Sequence, residues 1–543
     1  MAWANEGTAH RPVVMGRRGA VASAHPLASL AGLRMLMQGG NAIDAAVATA
    51  AALNVTEPYM SGAAGVGYMV IYHAKTDTRI VLDYNGRSPH AASLDRYPSD
   101  ADTQSGILSP LVPGAGGGWL AALERFGSLP RETVFAPAIE LAEGGFPLTL
   151  HNARFFAAGE TNLRPWATSV AQYLPDGRVP VAGQILRQPD LARTFEAIVA
   201  GGAEAFYRGP IGAEIVRFSE EHGGLIAQRD LDDFAVEWTE PIGVDYRGYE
   251  VICPPPPCSG IQYLQTLNLM EGYDAAAMGH NSAAYIHHLA EAMKLAVADR
   301  TTFAPAPNPP TNILVAKEYA ETRRALIAPA RAGVSGGDRF TSAKRAGEVL
   351  AGDPYAMKQS TTHFDAVDEE GNAVSATQTL GGVFGSGVVF GGTGLALNNF
   401  TYWMDRDPAS PNAIGPHKRV EQCLAPAQVW RGGKLFLCLG TPGSFGIMET
   451  TPQMLINVFD FGMSVQAAIE APRFRTGVGR ELLVEGRVPQ DVRDALTAWG
   501  HEVNALPDWT MLVGGGQGVM VNPDSGALMG GADPRRDGYA LAW

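Results

Sequence analysis

Between Thr361 and Leu380 the chain alternates polar and apolar residues with a period of two on either side of a short turn. Phe364, Ala366, Val374, Ala376 and Leu380 occupy the even positions; Thr361, His363, Asp365, Ser375, Thr377 and Thr379 occupy the odd ones. That is the pattern of a pleated ribbon with unlike faces. Asp368-Glu369-Glu370-Gly371-Asn372 separates the two runs and carries the Gly-Asn punctuation of a hairpin loop. A loop of those residues pairs Val367 with Ala373. The same register then sets His363 opposite Thr377 and Thr361 opposite Thr379. A face so rich in hydroxyls is compatible with simple solvation.

Elsewhere the pattern switches to helical spacing. The run Ser29 to Met37 is stopped by Gly39-Gly40, and Asn41 caps a second run, Ala42 to Leu53. Their small residues predict close packing. Gly62 to Gly67 precedes strand-like runs at Tyr68–His73 and Arg79–Tyr84. A dinucleotide fingerprint needs the opposite order, strand then glycines then helix, so nucleotide binding is rejected. Gly114 to Gly118 reads as close backbone approach ahead of a helix, Trp119 to Arg125. Residues 130–300 are mostly helical, with strands expected at Glu237–Trp238 and Gly248–Cys253 before the rigid Pro254–Pro257 segment. In the long helix expected from Ser282 to Arg300, His287 and His288 point about 100° apart, whereas metal ligands on a helix want i and i+4 spacing. No metal site is expected there. Residues 301–360 are rich in Pro, Gly, Ala and Ser, the least structured composition in the chain, and they end at Thr361. Short strands follow at Val388–Phe390, Lys434–Leu439 and Gly518–Val521, with a helix at Ser464–Ile469.

Composition narrows the class. A chain of 543 residues with 46% hydrophobic and 18% charged residues is globular, and long enough for two domains or one large layered unit. A net charge of −14 with no basic cluster longer than Arg17-Arg18 argues against nucleic acid as a partner. Cys253, Cys258, Cys423 and Cys438 are too few for a disulfide scaffold and lack zinc-site spacing, so free thiols are expected. The first residues show no cationic region followed by an apolar run, which points to a cytoplasmic protein. No run approaches the roughly 20 apolar residues of a membrane span.

The series Gly39-Gly40-Asn41-Ala42-Ile43-Asp44-Ala45, Val112-Pro113-Gly114, Glu291-Ala292-Met293-Lys294, Thr361-Thr362-His363, Leu397-Asn398-Asn399, Lys418-Arg419, Gly440-Thr441-Pro442-Gly443, Ala471-Pro472-Arg473-Phe474 and Ala532-Asp533-Pro534-Arg535 resembles the γ-glutamyltransferase family of N-terminal-nucleophile hydrolases. The resemblance implies an α+β fold, a four-layer αββα sandwich made as one precursor that cuts itself at the Ser360–Thr361 bond. Its products would be a large segment, 1–360, and a small one, 361–543, remaining associated as a heterodimer. The chemistry suits that chain position. A threonine hydroxyl is a poor nucleophile without a base, and a freed α-amino group with an ordinary pKa of roughly 7.7–8.0 supplies one at neutral pH.

By the same resemblance, Thr361 is the nucleophile and Thr379 the second threonine that hydrogen-bonds it. Gly443 and Ser444 match the pair whose backbone amides form the oxyanion hole, with serine in place of a second glycine. Arg87 matches an arginine that clamps the substrate carboxylate, and Thr377 lies on the substrate-facing strand. Departures fall where glutamyl-specific members hold the substrate's α-ammonium and α-carboxylate: Gly381, Phe400, Trp403, Gln422 and Cys423 stand at those positions, with Asp405 as a nearby substitute. Three aromatics, Phe400, Tyr402 and Trp403, suggest a more apolar or smaller acyl pocket. The expected activity is that of an autoprocessed amidase or acyltransferase. It would need no cofactor and work through an acyl-threonine on a small amide that carries a carboxylate, with glutathione or another γ-glutamyl compound as the default substrate. A non-glutamyl amide hydrolase, resembling oxamate amidohydrolase or cephalosporin acylase, is the alternative. An unprocessed, inactive scaffold is a third reading.

Overall fold

The alternating run folds as two strands, Ser360–Asp368 and Ala373–Gly381, paired antiparallel in the register set by the loop. The Asp368 carboxylate builds the turn. It accepts from the backbone N–H of Glu370 at 3.0 Å and of Asn372 at 2.9 Å, and from the Asn372 side chain at 2.8 Å. His363 lies opposite Thr377 and Thr362 opposite Gln378, as expected. Beyond Thr362 the register slips by one and Ser360 pairs with Gly381. The expected pairing of Thr361 with Thr379 is therefore replaced by a bulge. There Gly381 takes a φ of 99°, open to glycine, and the N–H of Gly382 turns aside to the side chain of Asn399, from outside the hairpin, at 2.7 Å.

The structure, a computed structural model, describes residues 5, 7, 9–335 and 360–543. Of the stretch read as least structured, 301–360, residues 336–359 lie outside the described residues. The part before them holds short helices at Thr311–Leu314 and Lys317–Arg324.

Neither face of the hairpin is solvated. Phe364, Ala366, Val374 and Ala376 share a core with the helices Pro26–Met37 and Ala42–Thr56. Val367 and Ala373, on the other face, pack with Cys438, Val519 and Leu528 of a second sheet. The polar odd positions thus lie between two sheets, and the solvated reading is overturned. Each sheet has seven strands. The first runs Tyr539–Ala542, Gly19–Ser23, Ser360–Asp368, Ala373–Gly381, Val66–His73, Thr78–Asp83, Glu237–Thr239; the second Val14–Gly16, Leu528–Ala532, Gln517–Val521, Lys434–Gly440, Ala427–Arg431, Tyr249–Cys253, Ile242–Tyr246. The helices Ile261–Met270, Ala283–Phe303 and Ile447–Phe459 cover the outer side of the second sheet. This is the α+β, four-layer αββα arrangement that the resemblance implies. Both sheets combine strands from before and after Ser360.

Some expectations need correction. Gly114 to Gly118 do not precede a helix but span its cap and first turn, Ala115–Phe126, where a Cβ on Gly118 would lie 2.4 Å from the Tyr84 ring. Val388–Phe390 forms no strand, only an isolated bridge between Val389 and Ala396. The strands at Ile242, Ala427, Leu528 and Tyr539 and the helix at Ile447 carry no expectation, being short or both-face buried runs without alternation. The four cysteines are free and buried. Among the described residues no helix is long and apolar enough to cross a membrane.

Asp44 fixes the first helix layer. Asn41 caps Ala42–Thr56 by accepting from the N–H of Ile43 at 2.9 Å and of Asp44 at 3.1 Å. The buried Asp44 carboxylate accepts in turn from the N–H of Asn41 at 2.9 Å, of Ser128 at 3.1 Å and of Leu129 at 3.2 Å, and from the Ser128 hydroxyl at 2.5 Å. Asp368 reaches the same helix end, taking the N–H of Ala42 at 2.8 Å, so the hairpin turn and helix cap are one unit. Truncating Asp44 to alanine strands several buried donors. The expected loss is about 2–4 kcal/mol of unfolding free energy, read from urea denaturation; a loss under about 0.5 kcal/mol would show that water replaces the carboxylate.

Candidate active site

At the open end of the hairpin the strand Ser360–Asp368 brings Thr361, only 3% exposed, into the space between the sheets. The Thr379 hydroxyl donates to the carbonyl oxygen of Ser360. The same hydroxyl oxygen accepts the N–H of Gly381 at 2.8 Å, which leaves its proton free for that carbonyl. The Arg536 guanidinium donates to the carbonyl of Thr361 at 3.4 Å. On the next residue, the Thr362 hydroxyl donates to Glu57 at 3.3 Å. The nucleophile candidate is therefore flanked by a buried acid and a buried base.

Burial drives the Glu57 carboxyl up to about 7, against the pull of Arg536 in the opposite direction. Burial likewise pushes the Arg536 guanidinium below its usual range, with Glu57 opposing. One layer further in, His363 bonds Thr377 through Nδ1 at 2.8 Å and Asp365 through Nε2 at 3.0 Å, all three fully buried. Burial raises the Asp365 carboxyl, with His363 opposing. Only a glycine fits opposite: a Cβ on Gly440 would lie 2.3 Å from the His363 ring.

Gly440 ends the strand Lys434–Gly440, and Thr441-Pro442-Gly443-Ser444 turns from it toward the helix Ile447–Phe459. Gly443 has a φ of 139° and Ser444 of 58°, so both amides sit in backbone conformations that side chains resist. Among the described residues the buried Ser444 hydroxyl has no hydrogen-bond partner. Thr441 steadies the loop, its hydroxyl oxygen accepting the N–H of Gly515 at 2.9 Å.

A threonine at a buried strand start, its preceding carbonyl held by a second threonine, beside a glycine-bearing turn, is a nucleophile geometry on a layered fold. The sequence matches the family described as γ-glutamyltranspeptidase over residues 28–543. The chain belongs to that family. It is 39% identical to the acylase ACY 1 proenzyme of Pseudomonas sp. (strain V22), covering 98% of this chain and 95% of that one. It is 33% identical to the glutathione hydrolase proenzyme of Bacillus subtilis (strain 168), covering 98% and 92%. Cephalosporin acylase from Bacillus halodurans superposes with a TM-score of 0.89 at 32% identity, over 99% of this chain and 98% of that one. The γ-glutamyltranspeptidase family is one of hydrolases and acyltransferases, so the protein is an enzyme.

Within this γ-glutamyltranspeptidase frame the substrate-side candidates divide into two groups. Gly381, Phe400 and Trp403 come together at the end of the hairpin. Phe400 and Trp403 are buried and stacked with centroids 5.8 Å apart, and Trp403 meets Phe445, the residue after Ser444, at 5.3 Å. A Cβ on Gly381 would fall 2.2 Å from the Asn399 side-chain oxygen, which fills the place where glutamyl-specific members carry a side chain. Gln422 and Cys423 are buried on a segment paired with Pro257–Ser259: the Gln422 N–H donates to Pro257 at 3.0 Å, and its carbonyl accepts from Ser259 at 2.7 Å. Asp405 is engaged by Ser410 at 2.5 Å and lies on the loop that pairs with Ala413. Arg87 stands apart. It pairs with Glu237 at 3.0 Å and lines a cavity of about 280 Å³ with Asn85, Val112, Asp230, Asp233 and His417.

Glu57, Arg536 and Phe445 escaped sequence reasoning. A lone acid directly after an apolar helix, and an arginine pair after Ala532-Asp533-Pro534, were the available signals.

Glu57 generates a pH prediction. It holds its proton more tightly in the folded chain than in the unfolded one. Its stabilisation is therefore complete below the ordinary carboxylate range and is lost as pH rises through about 7. Glu57→Gln, neutral at every pH, should match the parent below about pH 4.5 and exceed it by up to about 3 kcal/mol near pH 8, measured by urea unfolding at both pH values. Parallel pH profiles would exclude Glu57 as the titrating group.

Proposed function

We propose that the protein is a self-processing threonine amidase whose nucleophile is Thr361. The observation that carries this is the Thr379 hydroxyl resting on the Ser360 carbonyl. Polarised in that way, the carbonyl carbon is open to the neighbouring Thr361 Oγ. Attack breaks the Ser360–Thr361 amide and forms an ester between the Ser360 carbonyl and Thr361 Oγ, the proton passing to the departing nitrogen. Water then hydrolyses the ester, leaving Ser360 as a carboxylate and Thr361 with a free α-amino group.

That amine is the base for the second reaction. Arg536, bonded to the Thr361 carbonyl, lies close enough to oppose protonation of the amine and so keeps it a proton acceptor. Thr361 Oγ attacks the substrate amide carbon, its proton going to the amine and then to the leaving nitrogen. Thr379, released from Ser360, orients the hydroxyl. The Gly443 and Ser444 amides receive the developing oxyanion, each such donor being typically worth about 3–4 kcal/mol. Water or an amine then takes the acyl group, giving hydrolysis or transfer, while fragments 1–360 and 361–543 stay together through the shared sheets.

For substrate, a γ-glutamyl amide such as glutathione is the main reading. Arg87 supplies the carboxylate clamp once a substrate displaces Glu237, a bidentate task suited to guanidinium. The second reading, a non-glutamyl acylase, is favoured by the wall of Phe400, Trp403 and Phe445 and by the Asn399 oxygen occupying the space over Gly381. Gln422 and Cys423 bear on the acyl group in either case only through the buried segment they share with Pro257–Ser259, and Thr377 holds its strand through His363.

A denaturing gel tests the first claim. Purified protein should resolve into two bands, the smaller beginning at Thr361 by N-terminal sequencing. Thr361→Ala should remain one band, and Thr379→Val should mature at least about tenfold more slowly; a parent chain that stays whole on long incubation would leave the scaffold reading. For the substrate, release from a γ-glutamyl anilide is compared with ammonia release from short amides such as oxamate and with cephalosporin side-chain cleavage. Arg87→Ala should mature normally and lose roughly two orders of magnitude in kcat/KM on whichever carboxylate-bearing substrate is turned over. Unchanged kinetics would remove Arg87 from the binding site.

A further inference from the structure

Three segments distant in sequence converge at the wall of the cavity that Arg87 lines. His90 follows the strand Thr78–Asp83, Asp233 closes the short helix Gln228–Asp232, and His417 lies in the loop before Lys418-Arg419. His90 Nε2 and an Asp233 carboxylate oxygen are 2.8 Å apart, and the two imidazoles stack with centroids 4.3 Å apart and planes 6° from parallel. One donor atom from each of the three residues lies within 4.8 Å of the other two. Among the described residues the His417 ring makes no hydrogen bond. It is held by the stack on a backbone with a φ of 50°. All three side chains reach solvent, and the cavity beside them is lined by Asp230, Asp233, Glu237 and Arg87, with Arg229 reaching Asp233 at 3.6 Å and Arg419 reaching Glu237 at 3.4 Å.

A second trio, His287, Glu291 and His501, has similar spacing and is buried. There the place of a cation is taken. Lys294 donates to one Glu291 oxygen at 2.8 Å, the N–H of Gly333 donates to the other at 3.0 Å, and His287 divides its ring nitrogens between His501 and the Ala328 carbonyl. In the open trio the cation near Asp233 is the exposed Arg229 at 3.6 Å, free to swing into solvent, and one imidazole is uncommitted.

We propose that His90, Asp233 and His417 form a binding site for a divalent transition ion of the zinc class. Two imidazoles and one carboxylate are a donor set for zinc, cobalt or nickel, not for calcium or magnesium, which take oxygen donors. The ion replaces the hydrogen bond between His90 and Asp233, and His417 turns on its exposed loop to bring a ring nitrogen into line. Its remaining coordination positions are left for water or for the carboxylate of a small ligand in the cavity. The site goes beyond the amidase chemistry, which it does not need.

The test uses the full-length protein after treatment with a chelator. Zinc titrated by calorimetry should bind saturably with one equivalent, and cobalt should give a visible absorption band of nitrogen and oxygen coordination. His417→Ala and Asp233→Asn should each weaken zinc by roughly ten- to a hundredfold, while His501→Gln binds as the parent does. Asp233 is exposed, so its variant keeps the test available should His417→Ala fail to fold. Absence of saturable uptake, equal affinity in the His417 and Asp233 variants, or loss of binding in His501→Gln would each overturn the assignment.

Discussion

A polar strand face buried between two sheets is costly wherever a hydroxyl, imidazole or carboxylate on it lacks a partner, and it needs the opposing sheet to come close enough to exclude water. In the hairpin Ser360–Gly381 both needs are met at the contact of His363 with Gly440. The imidazole is saturated within its own sheet by Thr377 and Asp365, so it presents a flat ring to the second sheet, and the absence of a side chain on Gly440 lets that sheet lie against it. The next residues along Gly440's chain, Thr441 to Ser444, are thereby delivered to the end of the hairpin where Thr361 begins. A single tight approach fixes how the turn Thr441–Ser444 of one sheet meets the strand of the other that carries Thr361.

Around this contact the molecule sorts its charges by depth. Near Thr361 sit Glu57 and Arg536, both buried and each shifted toward neutrality. Deeper lies the hydrogen-bonded trio His363, Asp365 and Thr377. Farther out the ion pairs Arg87–Glu237 and Arg419–Glu237 are partly exposed. In such a pair a guanidinium that trades one carboxylate for another changes partner without being left bare. The aromatic cluster is the opposite case. Phe400, Trp403 and Phe445 pack on one another and on the cation of Arg300, 3.8 Å above Phe445, so they define a fixed shape.

What could be read from sequence was what is local. The hairpin was legible because its alternation, its loop chemistry and its register all sit within about twenty residues, and His363 opposite Thr377 came out as read. The register failed at the one place where a distant group intervenes: Asn399 draws off the Gly382 N–H and creates the bulge at Thr361. Burial of the polar face could not be read either, since it depends on Gly440, in a strand that pairs with other strands altogether. The helix cap at Asn41 was legible and the acceptor role of Asp44 toward Ser128 was not, for the same reason. Arg87 and Thr361, both singled out by motif, lie in separate parts of the site, and no spacing along the chain encodes that separation.

The sharing of both sheets between the two segments has a further consequence. The strand beginning at Ser360 is hydrogen-bonded to Gly19–Ser23 on one side and to its own hairpin partner on the other, and that partner is bonded to Val66–His73. Neither 1–360 nor 361–543 owns either of the two seven-stranded sheets, so the layers that pack on them are shared between the segments. A cut at Ser360–Thr361 leaves every one of these bonds in place while converting refolding from a unimolecular event into an encounter between two chains. From that moment the assembly is a spent intermediate of its own folding. It keeps its shape because the way out is slow, and once lost the shape is recovered only at the rate at which two partial sheets can find each other.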